Sequence, residues 1–268
     1  MCDWEKPVAS IKAATSVGPR LSWQSNCSRA GSLSRRKNWL NCSSSSGEGR
    51  SPGAPMTMAY ADRRIMQDPR QFWDSRYGES AFAYGSEPND FLAQQAEALP
   101  PGDALCLAEG QGRNGVHLAT LGHRVCVQDL SPIGLARAEA LAQERGVAIR
   151  TLCGDLASFE PAAASVDLVV AIWMHLPPAL RAVVHRRAVQ ALRPGGHLIL
   201  EAYTPAQLAL GTGGPPQGEL LISADDLRRE LTGLEWLVLR ECQRPIQEGP
   251  YHQGPSAVVQ ACGRKPAA

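Results

Sequence analysis

Short apolar runs alternate with amphipathic segments through the middle of the chain. The runs are four to eight residues long, as buried strands are, and the segments between them place apolar side chains at helical spacing. The five runs are Ala104–Ala108, Val125–Gln128, Val147–Cys153, Val166–Trp173 and His197–Ala202. Two more, Leu234–Cys242 and Ser256–Gly263, follow as an expected antiparallel pair. The pattern predicts one α/β domain with a doubly wound, mostly parallel seven-stranded sheet and helices on both faces.

Local signals mark several boundaries between these elements. Ser131 followed by Pro132 is typical of a helix start, and Gly146 is typical of the residue just beyond a helix end. Ser223 predicts the start of a further short helix. The stretch Tyr203–Glu219 reads as a long loop, and loops of that length within a compact domain are usually functional.

Four polar sites follow four of the predicted parallel strands. They are Glu109, Asp129, Asp155 and the segment Trp173–His175. In an open α/β sheet the ligand binds at the carboxyl ends of the strands, so these four sites are expected to converge on one ligand.

The first of these sites carries a glycine motif that favours a nucleotide-containing ligand. Gly110, Gly112 and Gly115 follow the first strand and open a helix, and Asp129 lies twenty positions beyond Glu109, where an acid can accept hydrogen bonds from a ribose. An ordinary turn is the alternative reading of such a motif. Glu109 would oppose a pyrophosphate at the helix N-terminus, whereas S-adenosylmethionine (SAM) is a cation without phosphate. The motif therefore favours SAM over a dinucleotide.

Composition divides the chain into two parts. Residues 1–57 hold eight Lys and Arg against three acids, are rich in Ser and show no apolar periodicity, so we expect a disordered basic extension. The alternatives are that this segment is a transit peptide, or that translation starts at Met56 or Met58 and the segment lies upstream of the true start. Residues 58–268 are expected to form the folded domain, with its core at 103–203.

The overall charge and the cysteines limit the possible partners. A net charge of +1 and a pI of about 7.6 argue against a nucleic-acid binder, and no apolar run is long enough to span a membrane. The eight cysteines contain no CxxC pair, so we expect reduced thiols, no metal and a cytoplasmic protein with a small-molecule substrate. The pattern does not indicate an oligomeric state.

The chain resembles class I SAM-dependent methyltransferases at several of these residues. Glu109 to Gly112 is similar to the first motif of that superfamily, Gly154-Asp155-Leu156 to its adenine segment, and Leu192 to Gly196 to its LKPGG signature. Within the superfamily, the segments Phe72–Tyr77, Tyr84–Asn89 and His175–Pro178 resemble methyltransferases of the tellurite-resistance type. The resemblance covers about residues 68 to 265.

The resemblance implies roles for particular residues. Glu109 would hold the SAM amino group, Asp129 the ribose hydroxyls, and Asp155 with Leu156 the adenine. The full predicted cofactor set is Glu109, Gly110, Gly112, Arg113, Asn114, Asp129, Leu130, Asp155, Leu156 and Trp173. Arg113 and Asn114 could equally be ordinary first-turn residues. The less favoured alternatives are a cap or turn residue for Asp129 and a solvated turn acid for Asp155.

The acceptor is expected between the aromatic N-terminal segment, the end of the fourth strand and the long loop. The predicted substrate-binding residues are Trp73, Tyr77, Tyr84 and Tyr203, and His175 is the candidate base if the acceptor must lose a proton. The aromatic segment could be a helix packed on the domain edge, a lid, or both. His175 could equally be a hydrogen-bonded loop histidine, and a thiolate or reduced chalcogen would need no base.

These features together predict methyl transfer from SAM to a small acceptor, including a thiol or a chalcogen oxyanion. An NAD(P)-linked oxidoreductase is the alternative that the glycine motif leaves open. A third reading is a catalytically silent protein with the SAM-binding fold that acts through a partner.

We expect the N-terminal extension to be dispensable for folding and cofactor binding. A chain that begins at Met56 should keep the melting temperature and SAM affinity of the full chain, because the removed segment has no apolar pattern with which to pack. Differential scanning calorimetry and titration calorimetry on both chains check this. A fall of several degrees on truncation would show that the extension docks on the domain.

Overall fold

The computed structural model describes residues 68–79 and 82–267, and the predicted extension over residues 1–57 lies outside them. The helices in the described part are α1 Pro69–Glu79, α2 Asp90–Ala96, α3 Arg113–Thr120, α4 Pro132–Glu144, α5 Pro178–Ala191 and α6 Ala224–Glu230. The strands are β1 Asp103–Cys106, β2 Arg124–Asp129, β3 Arg150–Cys153, β4 Val166–Ile172, β5 Leu192–Tyr203, β6 Glu235–Glu248 and β7 His252–Arg264. No helix in this part of the chain is both long enough and apolar enough to cross a membrane.

The strands form one mixed sheet in the order β3-β2-β1-β4-β5-β7-β6. Strands β1 to β5 are parallel, which confirms the predicted α/β sheet of alternating strands and helices. Strand β7 is antiparallel to both β5 and β6, so the sheet is mixed on one side. Strand β1 is buried along its length, and the central residues of β4, Val169 and Val170, have no solvent exposure. A strand covered on both faces requires the continuous apolar run seen in the sequence.

The last two strands are longer than the sequence pattern predicts. The predicted strands Leu234–Cys242 and Ser256–Gly263 stop short of two prolines, yet Pro245 and Pro255 lie opposite each other in the β6–β7 ladder. Residues His252–Ala257 of β7 extend beyond the last pair with β5, Tyr203 with Val258. Both prolines therefore lie where no third strand needs the backbone N–H group that proline lacks. The overhanging end of this hairpin reaches the carboxyl edge of the sheet.

Other boundaries follow the local signals. The Ser131 side chain accepts a hydrogen bond from the Gly134 N–H at the start of α4, and Gly146 adopts a left-handed φ of 69° beyond its end. Ser223 caps α6 through a reciprocal capping box with Asp226. The predicted loop Tyr203–Glu219 contains two short 3-10 turns, Pro205–Ala209 and Gly218–Leu220.

The carboxyl ends of the parallel strands place the predicted residues along one edge. Glu109 follows β1, Asp129 ends β2, Asp155 follows β3, and Trp173 with His175 follow β4. The amino ends of β1, β4 and β5 border a separate cavity of about 300 Å³ at the opposite edge, lined in part by His123 and Asp167. Any chemistry at the polar carboxyl edge is therefore separated from this cavity by the length of the strands.

Candidate functional site at the carboxyl edge

The glycine turn after β1 brings the backbone close to two helices. Gly110 and Gly112 have left-handed φ angles of 62° and 87°, which a residue with a side chain rarely adopts. A Cβ atom on Gly112 would clash with Ala138 of α4, and one on Gly110 would lie 2.5 Å from the hydroxyl of Tyr77. Glycine is therefore required at both positions by backbone angle and by space.

Glu109 turns its carboxylate onto the start of α3. Its Oε1 accepts hydrogen bonds from the N–H groups of Asn114 and Gly115, both at 2.8 Å. These are the unpaired N–H groups that a helix N-terminus otherwise offers to an anion. Burial raises the pKa of Glu109 to about 7, although the Gly115 N–H, the Arg113 charge and the Asn114 N–H oppose that shift. The side chain is 8% exposed, so its charge is sensitive to any cation placed beside it.

Asp129 joins the end of β2 to the glycine turn. Its Oδ2 accepts the Gly110 N–H at 2.8 Å and its Oδ1 accepts the Ser131 N–H at 2.8 Å. Burial raises its pKa, and the N–H groups of Ser131 and Gly110 limit the shift. Each carboxylate oxygen has a second lone-pair site, so the group can also accept hydroxyl hydrogens. The structure therefore gives Asp129 a turn-stabilising role, while leaving acceptor capacity for a ribose.

The segment after β3 has an exposed acid and a buried leucine. Asp155 is exposed, and its Oδ1 accepts the Ala157 N–H at 2.8 Å, as in a turn. Leu156 is 7% exposed, and Leu130, just beyond β2, is half-buried. The apolar and polar groups expected around an adenine lie on neighbouring strand ends, and the adenine contact itself stays a prediction.

The two first-turn residues of α3 bond to other parts of the protein. Asn114 Oδ1 accepts the Asn89 N–H at 2.9 Å, which ties α3 to the start of α2. Arg113 is 6% exposed and pairs with Glu248 of β6 at 2.5 Å. Their described contacts are therefore structural, and direct contact with a cofactor is still to be tested.

Helix α1 places aromatic rings over the glycine turn. Trp73 stacks on Tyr77 with ring centroids 5.5 Å apart, and Tyr77 is 5% exposed against Gly110 and Gly134. Burial, followed by the charge of Asp129, raises the pKa of Tyr77 well above its usual value. The neutral phenol therefore lies beside the two acids of the turn.

A group of aromatic rings lines the edge beyond β4 and β5. This aromatic cluster consists of Tyr84, Trp173, His175, Tyr203, Tyr251 and His252. Tyr203, fully buried at the end of β5, stacks on Trp173 at 4.5 Å and on His175 at 5.7 Å. Burial raises the pKa of Tyr203, so its hydroxyl stays protonated at neutral pH. The predicted substrate-binding residues Tyr84 and Tyr203 thus belong to one cluster with the predicted base.

His175 has one nitrogen bonded and one without a partner. Its Nδ1 lies 3.1 Å from the Leu220 carbonyl oxygen, which can only accept, so Nδ1 carries the hydrogen and Nε2 carries the lone pair. Nε2 is buried and has no hydrogen-bond partner among the described residues. Burial lowers the pKa of His175 to about 4, and Arg181 adds to that shift against the effect of Leu220. The imidazole is therefore neutral at pH 7 and can accept a hydrogen bond or a proton.

Sequence reasoning missed two residues of this edge, Glu248 and His252. His252 begins β7 at 7% exposure, its Nδ1 has no partner in the described part of the chain, and burial lowers its pKa to about 3. Glu248 ends β6 and binds Arg113 and the Trp173 indole. The sequence does carry a signal, because Glu248 and the Tyr251-His252 pair flank the turn residues Gly249 and Pro250. The predicted strands ended at Cys242 and resumed at Ser256, so they left these residues out.

The donors and acceptors at this edge suit an adenosyl cation better than a pyrophosphate. The N–H groups of Asn114 and Gly115 are already bonded to a carboxylate, so phosphate oxygens would have to displace Glu109. Glu109 and Asp129 are buried acids that a nearby cation would stabilise in their charged forms. The residues present therefore fit SAM.

The comparisons with known proteins agree with this geometry. Residues 104–196 match the sequence model of the family described as "Methyltransferase domain". The ribosomal protein L11 methyltransferase of Thermus thermophilus is 37% identical over 123 residues, which are 45% of this chain and 47% of that protein. The chain thus spans about half the length of this curated relative.

Solved structures share the fold at low sequence identity. N-methyltransferase NodS from Bradyrhizobium japonicum, in complex with S-adenosyl-L-homocysteine, has a TM-score of 0.56 and 19% identity, covering 74% of this chain and 98% of that one. TehB from Haemophilus influenzae has a TM-score of 0.55 and 18% identity, covering 73% and 66%. The chain therefore shares the fold of NodS and TehB.

Proposed function

We propose that this protein transfers a methyl group from SAM to a small-molecule acceptor that binds beside the aromatic cluster. The observation that carries the proposal is the Glu109 carboxylate at the start of α3. It occupies the N–H groups that a dinucleotide phosphate would use, and it places a buried negative charge where a cationic cofactor would be stabilised.

The cofactor would lie across the ends of β1, β2 and β3. Glu109 would bind its amino group and Asp129 its ribose hydroxyls, while Gly110 and Gly112 allow close approach of the backbone. Leu156 and Leu130 would supply apolar contact for the adenine, with Asp155 at its edge. When bound, SAM supplies an electrophilic methyl group on a sulfonium.

The protein's own part in the reaction would be alignment, exclusion of water and acceptance of a proton. The stacked rings of Trp173, Tyr203 and His175 present apolar faces beyond β4 and β5. His175 Nε2 would accept the hydrogen of a neutral acceptor, because its lone pair is not used by a described residue. The proton of a thiol becomes strongly acidic as the sulfur gains the methyl group, so an imidazole with a pKa of about 4 can take it at that stage.

A protein acceptor is the second candidate, because the Thermus thermophilus relative is named as a methyltransferase of ribosomal protein L11. The small-molecule acceptor is favoured by the enclosure of the candidate base, because its Nε2 is buried beside the Tyr203 ring and has no partner among the residues that the structure describes. An NAD(P)-linked reaction is disfavoured by the position of Glu109. A screen of thiols, amines, phenols, oxyanions and recombinant L11 with radiolabelled SAM would distinguish the acceptors, and absence of transfer to every class would favour the silent-partner reading.

The pH dependence of SAM binding tests the cofactor assignment. A cation beside Glu109 favours its charged form, so protonation of Glu109 below its pKa of about 7 competes with binding. We expect SAM affinity, measured by calorimetry, to weaken up to about fivefold from pH 7 to pH 6. Glu109→Gln should bind more weakly and lose this pH dependence. Tight binding of NAD with no binding of SAM would refute the assignment.

Cofactor binding should also depend on Asp129. A carboxylate that accepts ribose hydroxyls makes charge-assisted hydrogen bonds of about 1.5–3 kcal/mol each, so Asp129→Ala should weaken SAM binding at least about tenfold in a folded protein. Asp167→Ala is the matched control, because it removes a carboxylate at the amino edge that pairs with Arg193. Equal effects of the two substitutions on SAM affinity would contradict the ribose assignment.

Removal of the His175 imidazole should lower turnover and spare SAM binding. Nε2 is the proposed proton acceptor, so His175→Ala should reduce kcat about 10²-fold or more for an acceptor that must lose a proton. His123→Ala removes a buried imidazole at the opposite edge and should leave turnover per folded molecule unchanged. Loss of SAM binding in His175→Ala, with unchanged turnover per bound cofactor, would place His175 in the cofactor wall instead.

A further inference from the structure

A buried carboxylate from β6 lies between the glycine turn and the aromatic cluster. Glu248 is 6% exposed and is the last residue of its strand. It is separated by more than 70 positions in sequence from the Trp173 indole that it contacts, and by 135 from Arg113. None of the predicted roles for cofactor or acceptor binding includes this residue.

The two oxygens of Glu248 face different partners. Oε2 accepts the Arg113 guanidinium at 2.5 Å and the Trp173 indole N–H at 2.6 Å. Oε1 accepts the Asn89 amide at 2.9 Å and lies 3.3 Å from Arg244. One oxygen therefore joins α3, directly beyond the glycine turn, to the residue that follows β4.

A second buried carboxylate belongs to the same hydrogen-bond network. Glu201 of β5 is fully buried and bonds to Arg244 at 2.6 Å, to Asn89 at 2.5 Å and to Gln260 at 2.8 Å. The side chain of Glu201 has no described bond to Arg113 or to Trp173. The two acids thus share Asn89 and Arg244, and only Glu248 reaches the candidate site.

Trp173 needs such support because its backbone is strained. It is one of three non-glycine residues with positive φ in the described part of the chain, at 57°. Such a conformation persists only where the surroundings over-determine it. The indole bond to Glu248, the stacking on Tyr203 and the bond from the Trp173 N–H to the Glu201 carbonyl supply three constraints.

We propose that Glu248 is a positioning residue that holds Arg113 and the Trp173 indole in one arrangement, so that the glycine turn and the aromatic cluster are coupled. Binding of SAM at the turn then changes the environment of Trp173, and loss of Glu248 uncouples the two. This inference rests on the proposed function, because it takes the two residues to border the methyl-transfer site.

The test is Glu248→Gln in the full chain, with two readouts. A glutamine has one oxygen where Glu248 uses two, so its NH₂ group must face either Arg113 and Trp173 or Asn89 and Arg244, all of which are donors. We expect SAM binding to weaken at least about fivefold. We also expect the indole N–H resonance of Trp173, identified by its loss in Trp173→Phe, to move and to lose its response to SAM.

Glu201→Gln is the matched control. It removes the charge of a buried acid in the same network, so it should lower the melting temperature as Glu248→Gln does. We expect Glu201→Gln to bind SAM within about twofold of the unmodified chain and to keep the Trp173 response. The reason is that the Glu201 side chain contacts neither Arg113 nor Trp173. Equal loss of affinity in both variants would reduce Glu248 to a structural role and overturn the proposal.

If Glu248→Gln does not fold, Glu248→Asp serves in its place, because it keeps the charge and withdraws the carboxylate by one methylene. The same two readouts apply, and a folded variant with unchanged SAM affinity and Trp173 response overturns the proposal. Absence of SAM binding in the unmodified chain would refute the proposed function instead. Binding that survives substitution of Glu248 refutes only the coupling.

Discussion

The bond between the Glu109 carboxylate and the first N–H groups of α3 is the interaction on which the candidate site depends. It fixes the glycine turn against the helix, and Asp129 holds the same turn from the other side through Gly110. Because the helix end is already bonded to a protein acid, a cationic ligand such as the proposed cofactor would be favoured there over a phosphate. The same fold without that acid offers its N–H groups to a phosphate. One side chain thus decides which sign of charge this edge favours in the proposed cofactor.

Much of this edge follows from local sequence. Apolar runs predict the strands because a parallel strand covered on both faces must be apolar throughout, and each run ends where a polar residue reaches the sheet edge. Glu109, Asp129 and Trp173 were therefore predictable positions. Ser131, Gly146 and Ser223 were also predictable, since caps depend on neighbours within a few residues.

The remainder depends on pairings that no local window contains. Pro245 and Pro255 are compatible with strands only because each lies opposite the other in an overhang without a third strand, and that register is a property of the whole sheet. Glu248 and His252 enter the site through this overhang. The His175 ring is fixed by a hydrogen bond to Leu220, and the Asn114 side chain by one from Asn89. Both partners likewise come from distant segments. Residue type and spacing predict which groups are available, and the tertiary pairing decides which of their atoms stay free.

The overhanging β6–β7 hairpin also bears on the order in which the site can form during synthesis. Glu109, Asp129 and α3 leave the ribosome well over a hundred residues before Glu248, and the contact between Asn89 and Glu248 spans 159 positions. Domains generally fold as units, and long-range pairing comes late. The candidate site of a nascent chain therefore stays incomplete until the last hairpin, with Glu248 and His252, has left the ribosome.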